Sequence, residues 1–110
     1  MDNRKLIGDA GEDFAAKILA LKGYHILERN YRCRAGEIDI IAERCGELIF
    51  VEVKTRQTDQ FGRPAESVTV EKQRHMRNTA SCYLKSRGNS LSSISFQVIE
   101  VLFNQIEHAF

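Results

Sequence analysis

The chain has 110 residues, 43% of them hydrophobic and 28% charged, with a formal net charge of +1. This is the make-up of one soluble globular domain over residues 1–110, and its charge balance by itself points to neither a nucleic-acid nor a membrane partner. Cys33, Cys45 and Cys82 stand far apart with no Cys-x-x-Cys pair, and no apolar run reaches the length of a signal-peptide core or membrane span. Zinc ribbons, disulfide frameworks and membrane contact are therefore not expected, and a reduced, cytoplasmic setting is.

Lys5 to Lys22 reads as a helix, with Ile7, Ala10, Phe14, Ile18 and Leu21 at helical spacing. Ala15 and Leu19 widen that stripe, and Gly23 ends it. Tyr24 to Tyr31 alternates as a first strand. Two further strands, Gly36 to Glu43 and Glu47 to Thr55, form a hairpin. A polar stretch from Arg56 to Pro64 reads as a loop next to it. A second helix fits Val68 to Ser86, with Val70, Met76, Ala80, Tyr83 and Leu84 on one side. Ser95 to Phe103 is nearly all apolar and suits a central strand buried on both faces. A short tail runs from Gln105 to Phe110. The second helix is long enough for a crossover, so the last strand lies parallel to the third. The expected product is a mixed α/β sheet flanked by helices.

Charge in the hairpin strands carries the functional reading. Asp39, Glu52 and Lys54 interrupt otherwise apolar runs, and such groups are rarely buried unless paired or metal-bound. If the hairpin turns on Cys45-Gly46, Asp39 falls opposite Glu52 and Glu37 opposite Lys54. Opposed residues share a face, with Cβ atoms about 4.5–5.5 Å apart. Ile38, Ile40, Ala42, Ile49, Val51 and Val53 then form the other, wholly apolar face.

Mg²⁺, or Mn²⁺ in its place, takes hard oxygen ligands, commonly one or two carboxylates with waters and phosphate oxygens. Asp39 and Glu52 supply the carboxylates, and the Val53 carbonyl between the charged side chains offers a third ligand. Such an ion stabilises charge on a scissile phosphate and acidifies a bound water, while Lys54 orients the nucleophile or neutralises the phosphate. The competing reading is a cross-strand ion-pair cluster, which contributes only about 0.2–1 kcal/mol per pair and offsets strand-embedded charges poorly. Glu12 lies at the edge of the first helix's apolar arc, near Leu19. There it either approaches the polar end of the sheet or stays solvated near a helix N-terminus. On the second helix Lys72, Gln73, Arg74 and Arg77, with Arg56 and Arg63 from the loop, make a basic surface fit for DNA backbone, or a solvated helix face.

The segments Gly36-Glu37-Ile38-Asp39-Ile40-Ile41-Ala42 and Phe50-Val51-Glu52-Val53-Lys54-Thr55-Arg56 closely resemble the YraN family (UPF0102) of small bacterial proteins. Gly11-Glu12, Gly23-Tyr24, Arg29-Asn30-Tyr31-Arg32, Phe61-Gly62 with Pro64, Lys72-Gln73 and Ala109-Phe110 extend the resemblance over nearly the whole chain. Members of that family are regarded as predicted endonucleases distantly similar to archaeal Holliday-junction resolvases. The resemblance implies a restriction-endonuclease-like fold and a motif of a helix-borne glutamate, an aspartate, then acid-x-lysine. These map onto Glu12, Asp39, Glu52 and Lys54, and give Glu12 a role at the metal. Gln97 departs from the family, which often has an acid there. The expected activity is Mg²⁺-dependent cutting of DNA, with branched or damaged DNA among the candidates. The alternatives are a catalytically silent nucleic-acid-binding module and a protein-interaction domain. A junction resolvase needs two symmetric sites, hence a homodimer, although no stretch of the sequence marks a dimer seam.

Overall fold

The computed structural model describes residues 3–57, 68–88 and 93–110. In chain order the elements are α1 (Arg4–Leu21), β1 (His25–Cys33), β2 (Gly36–Arg44), β3 (Glu47–Gln57), α2 (Val70–Arg87) and β4 (Ser93–Phe103). They build a four-stranded sheet in the order β1-β2-β3-β4, antiparallel except for the parallel β3–β4 pair. This mixed sheet between two helices is the arrangement of the restriction-endonuclease-like core. Among the described residues no helix is long and apolar enough to cross a membrane.

The β2–β3 hairpin carries most of the core. It turns on Cys45 and Gly46, whose φ values of 49° and 78° suit a two-residue turn with the twist of its flanking strands. That turn fixes the pairing at Arg44↔Glu47, Ala42↔Ile49 and Ile40↔Val51, the expected register. Ile40, Ala42, Ile49 and Val51 pack with Ala15 and Leu19 of α1. Ile41, Leu48 and Phe50 pack on the opposite face with Ala80 and Tyr83 of α2. Burying each large apolar side chain contributes about 1.5–3 kcal/mol, so both faces of this hairpin hold the fold.

Five expectations need correction. Ile38 was expected beside Ile40 on the apolar face but packs with Ile41 and Phe50 on the α2 side. Residues 38 and 41 cannot share a face in a strictly alternating strand, so the alternation breaks between them. The break coincides with Asp39, whose register position on β1 is Asn30, a residue with φ of 53°. The buried stripe of α1 is Gly11, Ala15 and Leu19, while Phe14 and Leu21 are exposed. Gly11 sets this face, because a Cβ there would collide with Thr55 of β3. On α2, Val70 is exposed and Met76, Thr79, Ala80 and Tyr83 face inward.

The fourth correction concerns β4, expected as a central strand. It is an edge strand, with Ile94, Phe96 and Val98 each more than 40% exposed. Its α1 side is covered, since Ile99 and Val101 pack on the α1 cluster. Its other side is open because α2 leans chiefly on β2. Arg56 and Gln57 belong to β3 rather than to a loop, and residues 58–64, Arg63 among them, lie outside the described residues.

Candidate active site

The β2–β3 ladder stops at Ile40↔Val51, one step short of Asp39 and Glu52. What replaces it is a side chain. The Val53 backbone N–H donates to Asp39 Oδ2 at 2.8 Å. An N–H that would otherwise be an orphan is satisfied by a carboxylate, which ties Asp39 into the opening between the strands. Glu52, expected opposite Asp39, lies close enough for its charge to raise the proton affinity of Asp39.

The α1 helix brings the third carboxylate. Gly11 meets Thr55 with no Cβ between them, so this part of the helix lies directly on β3. Arg29 Nη2 to Asp13 Oδ1, at 2.8 Å, ties the same turn of α1 to β1. Glu12 sits between these two contacts and shares a hydrogen bond with Asp39. Glu12, Asp39, Glu52 and Val53 line one hollow of about 580 Å³. The edge position read from the helical wheel thus places Glu12 at the polar end of the sheet.

These groups are electrostatically uncomfortable. Burial, then the hydrogen bond and charge of Asp39, push the Glu12 carboxyl up to about 7. Burial also raises Asp39, against the lowering effects of the Val53 N–H and of the Glu12 carboxyl. The two acids share a proton, Glu12 donating to Asp39. Folding therefore lifts Glu12 from its ordinary 4.5 to about 7. The stability this gives is fully present below the lower value and is lost as pH rises through the upper one. Glu12→Gln mimics the protonated form. Its melting temperature should fall less than that of the wild type between pH 5 and 8, as read by thermal unfolding without divalent ions. Equal slopes in the two proteins would contradict the shared proton.

Glu52 is held from the other side of the sheet. Lys72 Nζ on α2 lies 2.8 Å from Glu52 Oε1. Glu52 Oε2 is buried and has no hydrogen-bond partner. An orphaned carboxylate oxygen beside a cluster of acids fits a cation. Among the described residues no three His, Cys, Asp or Glu side chains converge closely enough to hold an ion. A site here rests on two carboxylates, Asp39 and Glu52, which is a number Mg²⁺ commonly accepts.

The remaining candidates divide. Lys54 lies two residues beyond Glu52 on β3, half-buried, opposite Glu100 of β4, and lines neither of the hollows that contain Asp39. Lys72, read as a DNA contact, stands beside the acids, where its Nζ pairs with Glu52. Thr69 caps α2 by accepting the Lys72 N–H at 3.1 Å, which places Lys72 in the first turn over β3. Nothing in the sequence signals this, since helix-to-sheet registry depends on packing. Gln73 donates to the Val68 carbonyl at 3.0 Å and steadies the start of α2. Arg74 and Arg77 are exposed on α2, and Arg56 is half-buried on β3. His75 is also exposed, next to Gly36.

Comparison with known proteins adds kinship. The family described as "Uncharacterised protein family UPF0102" matches residues 11–101. A UPF0102 protein of Moorella thermoacetica is 47% identical over 104 residues, covering 94% of this chain and 87% of that protein. One of Symbiobacterium thermophilum is 48% identical over 95 residues, 86% and 80% of the two chains. One of Caldicellulosiruptor saccharolyticus is 41% identical over 102 residues, 93% and 86%.

Proposed function

The chain belongs to the uncharacterised protein family UPF0102, and from that premise we propose that it is a metal-dependent endonuclease that hydrolyses phosphodiester bonds of DNA. The observation that carries the reading is the opening between β2 and β3. There Asp39 replaces a ladder hydrogen bond, and Glu52 presents a buried oxygen with no partner. Burial, then the charge of Glu52, raises the proton affinity of Asp39, a burden that a divalent cation relieves.

Asp39 and Glu52, with the Val53 carbonyl, are the groups that would hold Mg²⁺ or Mn²⁺. When bound, the ion supplies charge neutralisation at the scissile phosphate and acidifies a water. The chain's own residues do the rest. Val53 N–H orients Asp39. Glu12, hydrogen-bonded to Asp39, holds a proton that it releases near neutral pH. Lys72 sets the rotamer of Glu52 and brings a cation to the α2 side of the opening, where a phosphate can meet it. Lys54 lies one strand step further and adds positive charge on that side. Arg74 and Arg77 extend the basic surface along α2 for the flanking backbone.

One observation favours the silent nucleic-acid-binding module. Lys72 already neutralises one oxygen of Glu52, and among the described residues no three ligating side chains converge on an ion. The readings separate on a panel of single-stranded, duplex, flapped and four-way DNA incubated with and without Mg²⁺ or Mn²⁺. The endonuclease cuts at least one of them only with the ion. The module binds with steep salt dependence and never cuts. Sedimentation of the same samples shows whether DNA is engaged by a homodimer. Absence of cutting on every DNA, with the protein folded and the ion bound, would sink the endonuclease assignment.

A further inference from the structure

Two thiols meet where β1 runs into β2, at the outer edge of the sheet on the α2 side. β1 ends at Cys33, whose partner across the ladder is Gly36 of β2. Gly36 lies under α2, where an added Cβ would come 3.0 Å from Thr79 Oγ1 and 3.9 Å from His75 Cβ. Two residues before Cys33, the Tyr31 ring meets that of Tyr83 edge to face, with centroids 5.3 Å apart. Cys33 and Cys82 are bracketed by these two contacts between the sheet and α2, which bring their thiols close enough for each to shift the other's proton affinity. Both are free and half-buried, so a small reagent reaches them, whereas Cys45 stands exposed on the hairpin turn.

We propose that Cys33 and Cys82 form a reversible dithiol site, which a low-molecular-weight disulfide such as glutathione disulfide converts to an intramolecular disulfide joining β1 to α2. The site uses none of the acidic side chains and does not depend on the nuclease reading. Thiols already in contact need no loop search to meet, which favours ring closure over a second external attack. Their roles differ. The Cys82 thiol, together with N–H groups of Ala35 and Gly36, holds the Cys33 sulfur below its usual range, while the same contact pushes Cys82 up. Cys33 is therefore the attacking thiolate and Cys82 the resolving thiol.

The Cys33 thiolate, its proton released to solvent, attacks one sulfur of glutathione disulfide. The bond between the two glutathione sulfurs breaks, and one glutathione leaves as thiolate and takes up a proton. The Cys82 thiol then loses its proton and attacks the Cys33 sulfur, displacing the second glutathione. Two protein thiols are oxidised, and one glutathione disulfide is reduced to two thiols.

The test uses the whole folded chain carrying Cys45→Ser, exposed to glutathione disulfide and examined by intact mass and non-reducing peptide mapping. The expected product has lost both thiols, retains no glutathione, and links the peptides of Cys33 and Cys82. It melts at a higher temperature than the reduced chain, and dithiothreitol reverses the change. The same chain carrying Cys82→Ser in addition should stop at one glutathione held on Cys33. A folded chain that keeps a glutathione on each cysteine, or leaves both thiols unreacted, overturns the proposal. So does a disulfide that forms only between molecules.

Discussion

Asp39→Ala and Asp39→Asn should both lose the proposed metal-dependent DNA cleavage, by on the order of a hundredfold to a thousandfold in kcat, the usual loss of one preorganised electrostatic group. The two variants differ in stability, which is what makes the pair informative. Asp39 has two roles: it accepts the Val53 N–H at 2.8 Å, and it brings negative charge into the opening. Asparagine keeps an acceptor for that N–H but removes the charge. Since burial already raises the Asp39 carboxyl, Asp39→Asn should unfold at the same urea concentration as the wild type, or a higher one. Alanine leaves the Val53 N–H without a partner, and Asp39→Ala should lose about 1–3 kcal/mol. Cleavage assays and urea titrations on the same preparations read both effects. If either variant cuts DNA at the wild-type rate, Asp39 is a structural cap and the reaction does not pass through it.

Gly11→Ala should destabilise the protein and disturb the site together. A Cβ at Gly11 would collide with Thr55 Oγ1 and lie 2.9 Å from Thr55 Cβ. Rotating the hydroxyl away cannot clear the second contact, because Thr55 Cβ is fixed to the β3 backbone. Alanine in place of glycine gains up to about 1 kcal/mol of helix propensity, but overpacking a close contact costs about 1–3 kcal/mol. The net change is a loss. α1 must lift from β3, taking Glu12 away from Asp39, so the Glu12 carboxyl should titrate closer to its ordinary value by carbon-detected NMR. Adding Thr55→Ala removes the collision with the hydroxyl and keeps the 2.9 Å contact with Cβ, so the double variant should regain only part of the stability. Gly11→Ala as stable as the wild type would mean that α1 does not rest on β3 at this point.

The element order, the hairpin register and the meeting of Asp39 with Glu52 could all be read before any coordinates, for a local reason. A two-residue turn at Cys45-Gly46 and strict alternation on either side leave one pairing that buries Ile40, Ala42, Ile49 and Val51 together. Glu12 was legible as far as the edge of an apolar arc. What escaped depends on contacts between elements distant in the chain. Lys72 reaches Glu52 only because α2 crosses back over β3 at a particular height, and helical periodicity carries no information about height. The apolar run of β4 promised a central position, yet the crossover places it outside β3 and α2 leaves one of its faces uncovered. The change of face at Ile38 arises where the strand stops obeying the alternation used to read it. That exception falls at Asp39, which local pattern marked as costly.

β3 draws its two neighbours from very different distances along the chain. β2 precedes it by a two-residue turn, whereas β4 begins only at Ser93, after the whole of α2. Hairpins close in about 1–10 µs, but pairing with a distant parallel strand waits on the closure of a long loop. During folding, then, β3 spends time as the last strand of an unfinished three-stranded sheet. Its free edge runs past Leu48, Phe50 and Val51, a stretch with strong tendency to pair with another chain. The strand that ends up in the interior is thus the one most open to intermolecular association while the protein is being made. Slower synthesis at low temperature should raise the soluble yield more than changes to the finished surface do.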